Sequence, residues 1–157
     1  MTFIVDGTNG LTFNNSTTQA SAGVVLQVVQ GTTNTIVTTT SAILVNTGFS
    51  ASITPKFSTS KILVTASLPA TIVGAGLSAF FTIYRNGVNQ AIGGGTSQSF
   101  AQIYSTGNVI SNETLCYLDS PATTSSTTYA IYWYTNGSAT FCNNNVTATI
   151  ILQEIAG

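Results

Sequence analysis

Residues able to do chemistry are scarce in this chain and lie far apart. The charged ones are Asp6, Lys56, Lys61, Arg85, Glu113, Asp119 and Glu154, and histidine is absent from all 157 residues. Serine is plentiful, but without an imidazole base nucleophilic catalysis of the Ser–His type is excluded. Glu113 and Asp119 are six apart and flank a segment about 20 Å long when extended, so they share no proton without a fold-specific return. Asp119 precedes Ser120 and Pro121, and its plainer reading is an Asx-turn capping that corner. Arg85 reads as a solvated hairpin end, with an acid across an interface as the other option. Cys116 and Cys142 permit one cross-strand disulfide, although two buried free thiols acting as small hydrophobes are the plainer reading. Without histidine or clustered carboxylates they make a poor metal site. The expectation is no catalytic residue, no metal site and no cofactor.

Bulk composition narrows the classes further. Charged residues make up 4% of the chain, against about one quarter in ordinary soluble domains. Polar surface must therefore be built from hydroxyls and amides. A net charge of −1 with three scattered cations excludes the basic patch that nucleic acid or an anionic membrane surface requires. Mean hydropathy is +0.35, yet no apolar run approaches the roughly 20 residues that span a bilayer. Met1 to Asp6 has neither a basic region nor a sustained apolar one, so no signal peptide is expected; the protein is expected to be made and kept in a cytoplasm, or assembled there and released by lysis. The sequon matches at Asn14, Asn15, Asn112, Asn136 and Asn145 then mean little.

The elements that would position these residues are strands. Period-two alternation and β-branched residues dominate, and no helical window stands out. Strands are expected at 24–30, 35–45, 49–54, 62–68, 79–85, 100–104, 114–118, 128–135, 138–142 and 146–153. Asn86-Gly87 and Asn136-Gly137 each separate alternating apolar segments, the mark of a type I′ hairpin. Pro55, Pro69 and Pro121 fall at segment ends. About ten short strands at this spacing predict an all-β antiparallel β-sandwich of the jelly-roll type, spanning residues 23–157. Residues 1–22 hold few apolar residues and many turn formers, so they read as an extended N-terminal arm that orders against a partner chain.

The densest aromatic stretch is Tyr129 to Tyr134. On a strand, Tyr129, Ile131 and Trp133 share one face while Tyr132 and Tyr134 share the other. One face could stack on a sugar; burial of one face in the core and of the other at a subunit interface is the plainer account.

Two passages carry a resemblance. Ser52-Ile53-Thr54-Pro55 followed by Ser60-Lys61-Ile62-Leu63-Val64, and Leu118 through Tyr129 (LDSPATTSSTTY), resemble signatures of structural proteins of tailed bacteriophages, notably those of cyanobacteria. The ending 150–156 is similar to the closing strand of that group, and Asp6 to Phe13 resembles the linking turns of trimeric fibre shafts. The resemblance runs from about Val24 to Gly157 and contains no catalytic motif. It implies a virion surface protein of jelly-roll fold and homotrimeric assembly.

Taken with the uncharged surface, the expected function is a non-enzymatic capsid decoration (cement) protein. It would bind the head surface as a homotrimer, with the major capsid protein or another virion protein as partner. The alternative is a tail-fibre knob that recognises host glycans through loops at 93–99, 105–112 and 135–138. Lacking ionic networks, the assembly is expected to depend little on salt.

Overall fold

The computed structural model describes residues 24–91 and 99–157, and ahead of them the backbone of three short strands. Those three, β1 (Ile4–Asp6), β2 (Gly10–Thr12) and β3 (Thr18–Gln19), pair antiparallel into a small sheet of their own. Most of the expected arm, and Gly93 to Gln98 of the first glycan-loop candidate, lie outside the described residues.

Two antiparallel sheets form the rest. Their strands are β4 (Val25–Thr33), β5 (Val37–Thr39), β6 (Val45–Ile53), β7 (Lys61–Ile72), β8 (Ala75–Arg85), β9 (Val88–Asn89), β10 (Ala101–Thr106), β11 (Val109–Asp119), β12 (Thr127–Thr135), β13 (Ala139–Phe141) and β14 (Ala148–Ile155). The first sheet runs β4–β14–β7–β11, with β5 and β13 prolonging β4 and β14; the second runs β6–β12–β8–β10, with the short β9 also on β8. The eight long strands are nested: first with last (β4–β14), second with seventh (β6–β12), third with sixth (β7–β11) and fourth with fifth (β8–β10). This nesting is a jelly roll, so the expected fold class holds.

Alternation places the core. Buried and half-buried positions alternate along β12 and β14, and buried and exposed ones along β6, as a sheet with one dry face requires. Trp133 and Phe81, paired across β12 and β8, stack at 5.7 Å, and Phe141 from the opposite sheet meets Trp133 edge-on at 6.2 Å. Rings from the two sheets thus interlock at the centre.

Several expected boundaries move, each for a local reason. Of the strand expected at 35–45 only Val37–Thr39 forms, and the chain turns a corner before β6 begins at Val45; there the Thr39 and Ser41 hydroxyls accept backbone N–H bonds and divert the chain. Pro69 is inside β7 instead of ending it. Its carbonyl accepts from Cys142 N, so its ring nitrogen faces the same side, where residues 142–147 are inserted between β13 and β14 and the ladder is already broken. A proline there forfeits no hydrogen bond.

Asn86-Gly87 is the expected type I′ turn, with φ positive at both residues (47° and 85°). Asn136-Gly137 is not a hairpin: it carries the chain from β12 in one sheet to β13 in the other. The Asn136 side chain accepts from Ser78 N at 2.6 Å, and a Cβ on Gly137 would lie 2.6 Å from Leu77 Cδ1. That dipeptide answers to close packing at the crossover and not to turn twist.

The fold makes a stability prediction at its centre. Trp133 Nε1 is buried with no hydrogen-bond partner among the described residues, and an unpaired buried donor is a standing cost. Trp133→Ala is expected to cost about 3–5 kcal/mol. Trp133→Phe, which removes that donor while keeping a ring, is expected to cost about 1 kcal/mol or less. Urea titrations of the two variants check the difference.

Candidate functional site

Three charged residues of the sandwich, Arg85, Asp119 and Glu154, hold the fold in place. Asp119 closes β11 with its side chain turned into the interior, 3% exposed. It receives Arg85 Nη1 on both oxygens (2.8 and 2.9 Å) and the Tyr129 hydroxyl at 2.6 Å, and Tyr117 approaches at 3.4 Å. The Asx-turn reading of Asp119 is therefore incorrect, because the strand register aims it inward. Both readings of Arg85 fail as well: its partner is the acid of its own chain. Burial first, then the Asp119 carboxylate that accepts its proton, push the Tyr129 hydroxyl up, so the phenol stays protonated and donates.

Glu154 is also buried. Gln27 Nε2 donates to it at 2.5 Å and Lys56 N at 2.7 Å. Burial pushes its carboxyl up, but the nearby Ser60 hydroxyl, the Gln27 amide and the Lys56 and Phe57 backbone N–H groups prevail and hold it below the ordinary carboxylate value. Glu113 is elsewhere, taking the Ser111 hydroxyl at 2.6 Å. Both cysteines are free thiols, but only Cys142 is buried, in a left-handed turn after β13; Cys116 is exposed on β11, against the expectation that both are buried. Burial raises the Cys142 thiol and keeps it protonated. Among the described residues no three acidic, cysteine or histidine side chains gather at a possible metal site, and no helix is long and apolar enough to cross a membrane.

What remains is surface. On the outer face of the β6–β12–β8–β10 sheet, five rings cluster: Tyr104, Phe80, Tyr84, Tyr132 and Tyr134. Phe80 and Tyr134, directly opposed, stack at 4.4 Å and 6°; Tyr84 and Tyr132, diagonal neighbours, stack at 3.8 Å and 15°. Both separations are close to the spacing of adjacent strands. Parallel rings this close on one sheet face cannot both lie flat, so the four rings stand upright with their edges outward. The sequence separates the two faces of β12 correctly; a flat stacking shelf for a sugar is not what these rings make. Tyr104 is 62% exposed. Thr82, beneath the rings, is fully buried and bonded to Asn89 at 2.6 Å. Among the described residues the other outward ones on this face are amides, hydroxyls, Ala130 and glycine, with no charge.

The opposite outer face differs. One row crosses four strands as Thr32, Thr149, Ser67 and Thr114. Beside it the inserted turn at 142–147 walls a cleft of about 260 Å³ lined by Pro69, Thr71, Ile110, Asn112, Asn143 and Val146 among others. The sequence could not announce this cleft, since an interrupted β13–β14 strand makes it. The loop candidates shrink: within 105–112 only Gly107 and Asn108 lie outside strands, and 135–138 is the sheet crossover.

No protein-family model matches this chain, and no curated protein does. Among solved structures it is similar to the infectious bursal disease virus Gt strain (TM-score 0.48, 15% identity, 85% of this chain and 39% of that one). The VP2 subviral particle of that virus gives 0.42, 13%, 85% and 38%, and its derived T=1 particles give 0.46, 14%, 84% and 37%. This chain spans less than two-fifths of each of those chains.

Two predictions follow from the carboxylates. Asp119→Asn leaves a half-buried guanidinium without its counter-charge and is expected to cost about 2–4 kcal/mol in urea titration. Glu154 has a folded-state pKa below its unfolded one, so its contribution is present above the unfolded value and lost as pH falls through the folded one. The wild-type melting temperature is expected to fall as pH drops below about 4, and Glu154→Gln to flatten that fall.

Proposed function

We propose that the chain is a non-enzymatic structural protein of a tailed-phage virion, a capsid decoration protein that binds the head surface as a homotrimer and stabilises it. The observation that carries this reading is the uncharged ring-bearing outer face of the second sheet. Interfaces are enriched in tyrosine and phenylalanine and depleted in lysine and glutamate, and a face of this composition suits lasting contact better than solvent. The phage-like passages support the assignment to a virion: Ser52 to Pro55 crosses the end of β6, and Leu118 to Tyr129 joins β11 to β12.

In this reading every ionised side chain inside the sandwich has a structural partner, and the surface contributes shape and neutral hydrogen bonds. Residues 1–22 act as the arm that reaches a neighbouring capsid protein, its affinity coming from strand addition and apolar contacts with that partner. The sandwich, residues 23–157, projects from the head.

Immunogold labelling of intact particles with an antibody to this chain tests the placement. Gold over the heads is expected. Gold confined to tail or fibres would replace the reading with host recognition, and unlabelled particles would overturn it. Deleting residues 1–22 is expected to abolish head binding while leaving the melting transition of the sandwich in place; full occupancy by the truncated chain would remove the arm from the account.

A further inference from the structure

We propose that the outer face of the β6–β12–β8–β10 sheet is the surface on which a second copy of this chain docks, through the upright rings of Tyr84, Tyr132, Phe80, Tyr134 and the exposed Tyr104. This deepens the self-assembly part of the virion reading, and its test does not depend on where in the particle the protein lies.

Three observations select a second copy over other occupants. The first is charge. In a symmetric homo-oligomer the residues nearest the axis meet their own copies, so a charge there is brought towards its own kind. This face carries none, whereas Lys61 lies on the outer side of the opposite sheet and Lys56 beyond the end of β6. The second is ring orientation. Phe80 with Tyr134 and Tyr84 with Tyr132 already occupy each other's inner faces at 4.4 and 3.8 Å, so a pyranose finds edges instead of a platform. Ring edges and phenol groups can instead interdigitate with a like set, aromatic side chains preferring edge-to-face and offset contacts.

The third is extent. Four strands at about 4.8 Å spacing and about 30 Å of strand length give a face of roughly 500 Å² in projection. A standard interface takes about 800 Å² of accessible surface from each partner, so this face would provide most of one contact. Sheet faces without lysine or glutamate are also unguarded against self-association.

The test is sedimentation equilibrium of the full chain, protomer mass 16.2 kDa, over a hundredfold concentration range. Wild type is expected to sediment as an oligomer. The double variant Tyr104→Lys, Tyr132→Lys is expected to sediment as a monomer with at least a tenfold weaker association. The control variant Thr114→Lys, Thr149→Lys, on the outer face of the other sheet, is expected to keep the wild-type mass. Circular dichroism melts of all three establish that each is folded; should the ring variant unfold, Gln102→Lys with Ser50→Lys places charge on the same face without removing a ring.

A monomeric wild type, or an oligomer untouched by lysines on the ring face, overturns the proposal. So does a monomeric wild type retarded by a neutral glucan in affinity electrophoresis, which would assign the face to sugar. A monomer that still labels phage heads would leave the virion reading standing and remove only this surface.

Discussion

One polar row at the end of the dry interior fixes how the two sheets meet. Asp119 on β11 and Glu154 on β14 both pair in register with Ile62 of β7, one on each side. Gln27 of β4 continues the row beside Glu154. From the other sheet Arg85 and Tyr129, themselves paired across β8 and β12, reach Asp119. A carboxylate inside a sandwich is tolerated only with its hydrogen bonds complete. A one-residue slip of β11 or β14 would turn its acid outward and strand the donors. Elsewhere the buried interior is mostly apolar, and the hydroxyls of Thr47, Ser105 and Thr135 donate to backbone carbonyls; the acids specify register while the interlocked rings of Trp133, Phe81 and Phe141 fill the centre.

The outside follows from the same economy. Asp119, Glu154 and Arg85 are used at that end, and the outer face of the β6–β12–β8–β10 sheet is left to hydroxyls, amides and rings. Such faces lose little on desolvation compared with ionised ones, and they gain from packing against their own likeness. A surface of this kind suits a protein that spends its existence in contact with copies and neighbours.

Much of this was legible in the sequence, and the failures are instructive. Alternation identified the strands of β6, β12 and β14 and hence the sandwich, because one face of each is dry. It separated Tyr129 and Trp133 from Tyr132 and Tyr134 correctly. It mistook Pro69 for a strand end, since the broken ladder that tolerates proline is created by residues more than seventy positions later. It read Asn136-Gly137 as a hairpin because turn chemistry cannot reveal that Leu77 and Ser78 fill the space beside it. Asp119 looked like a local cap for the same reason: its partners, Arg85 and Tyr129, meet it only after four strands have been laid down. The cleft at the inserted turn and the upright stance of the rings belong to tertiary geometry and left no local signal.

The claim at the centre is that this protein assembles through neutral surfaces. Its most direct measurement is the oligomeric mass in solution as ionic strength is raised from about 0.05 to about 1 M, across which the screening length falls from above 10 Å to about 3 Å. The account predicts an oligomer whose mass and dissociation constant hold steady or tighten as salt rises. An oligomer that dissociates with added salt would show that ion pairs hold the copies together, and would contradict it.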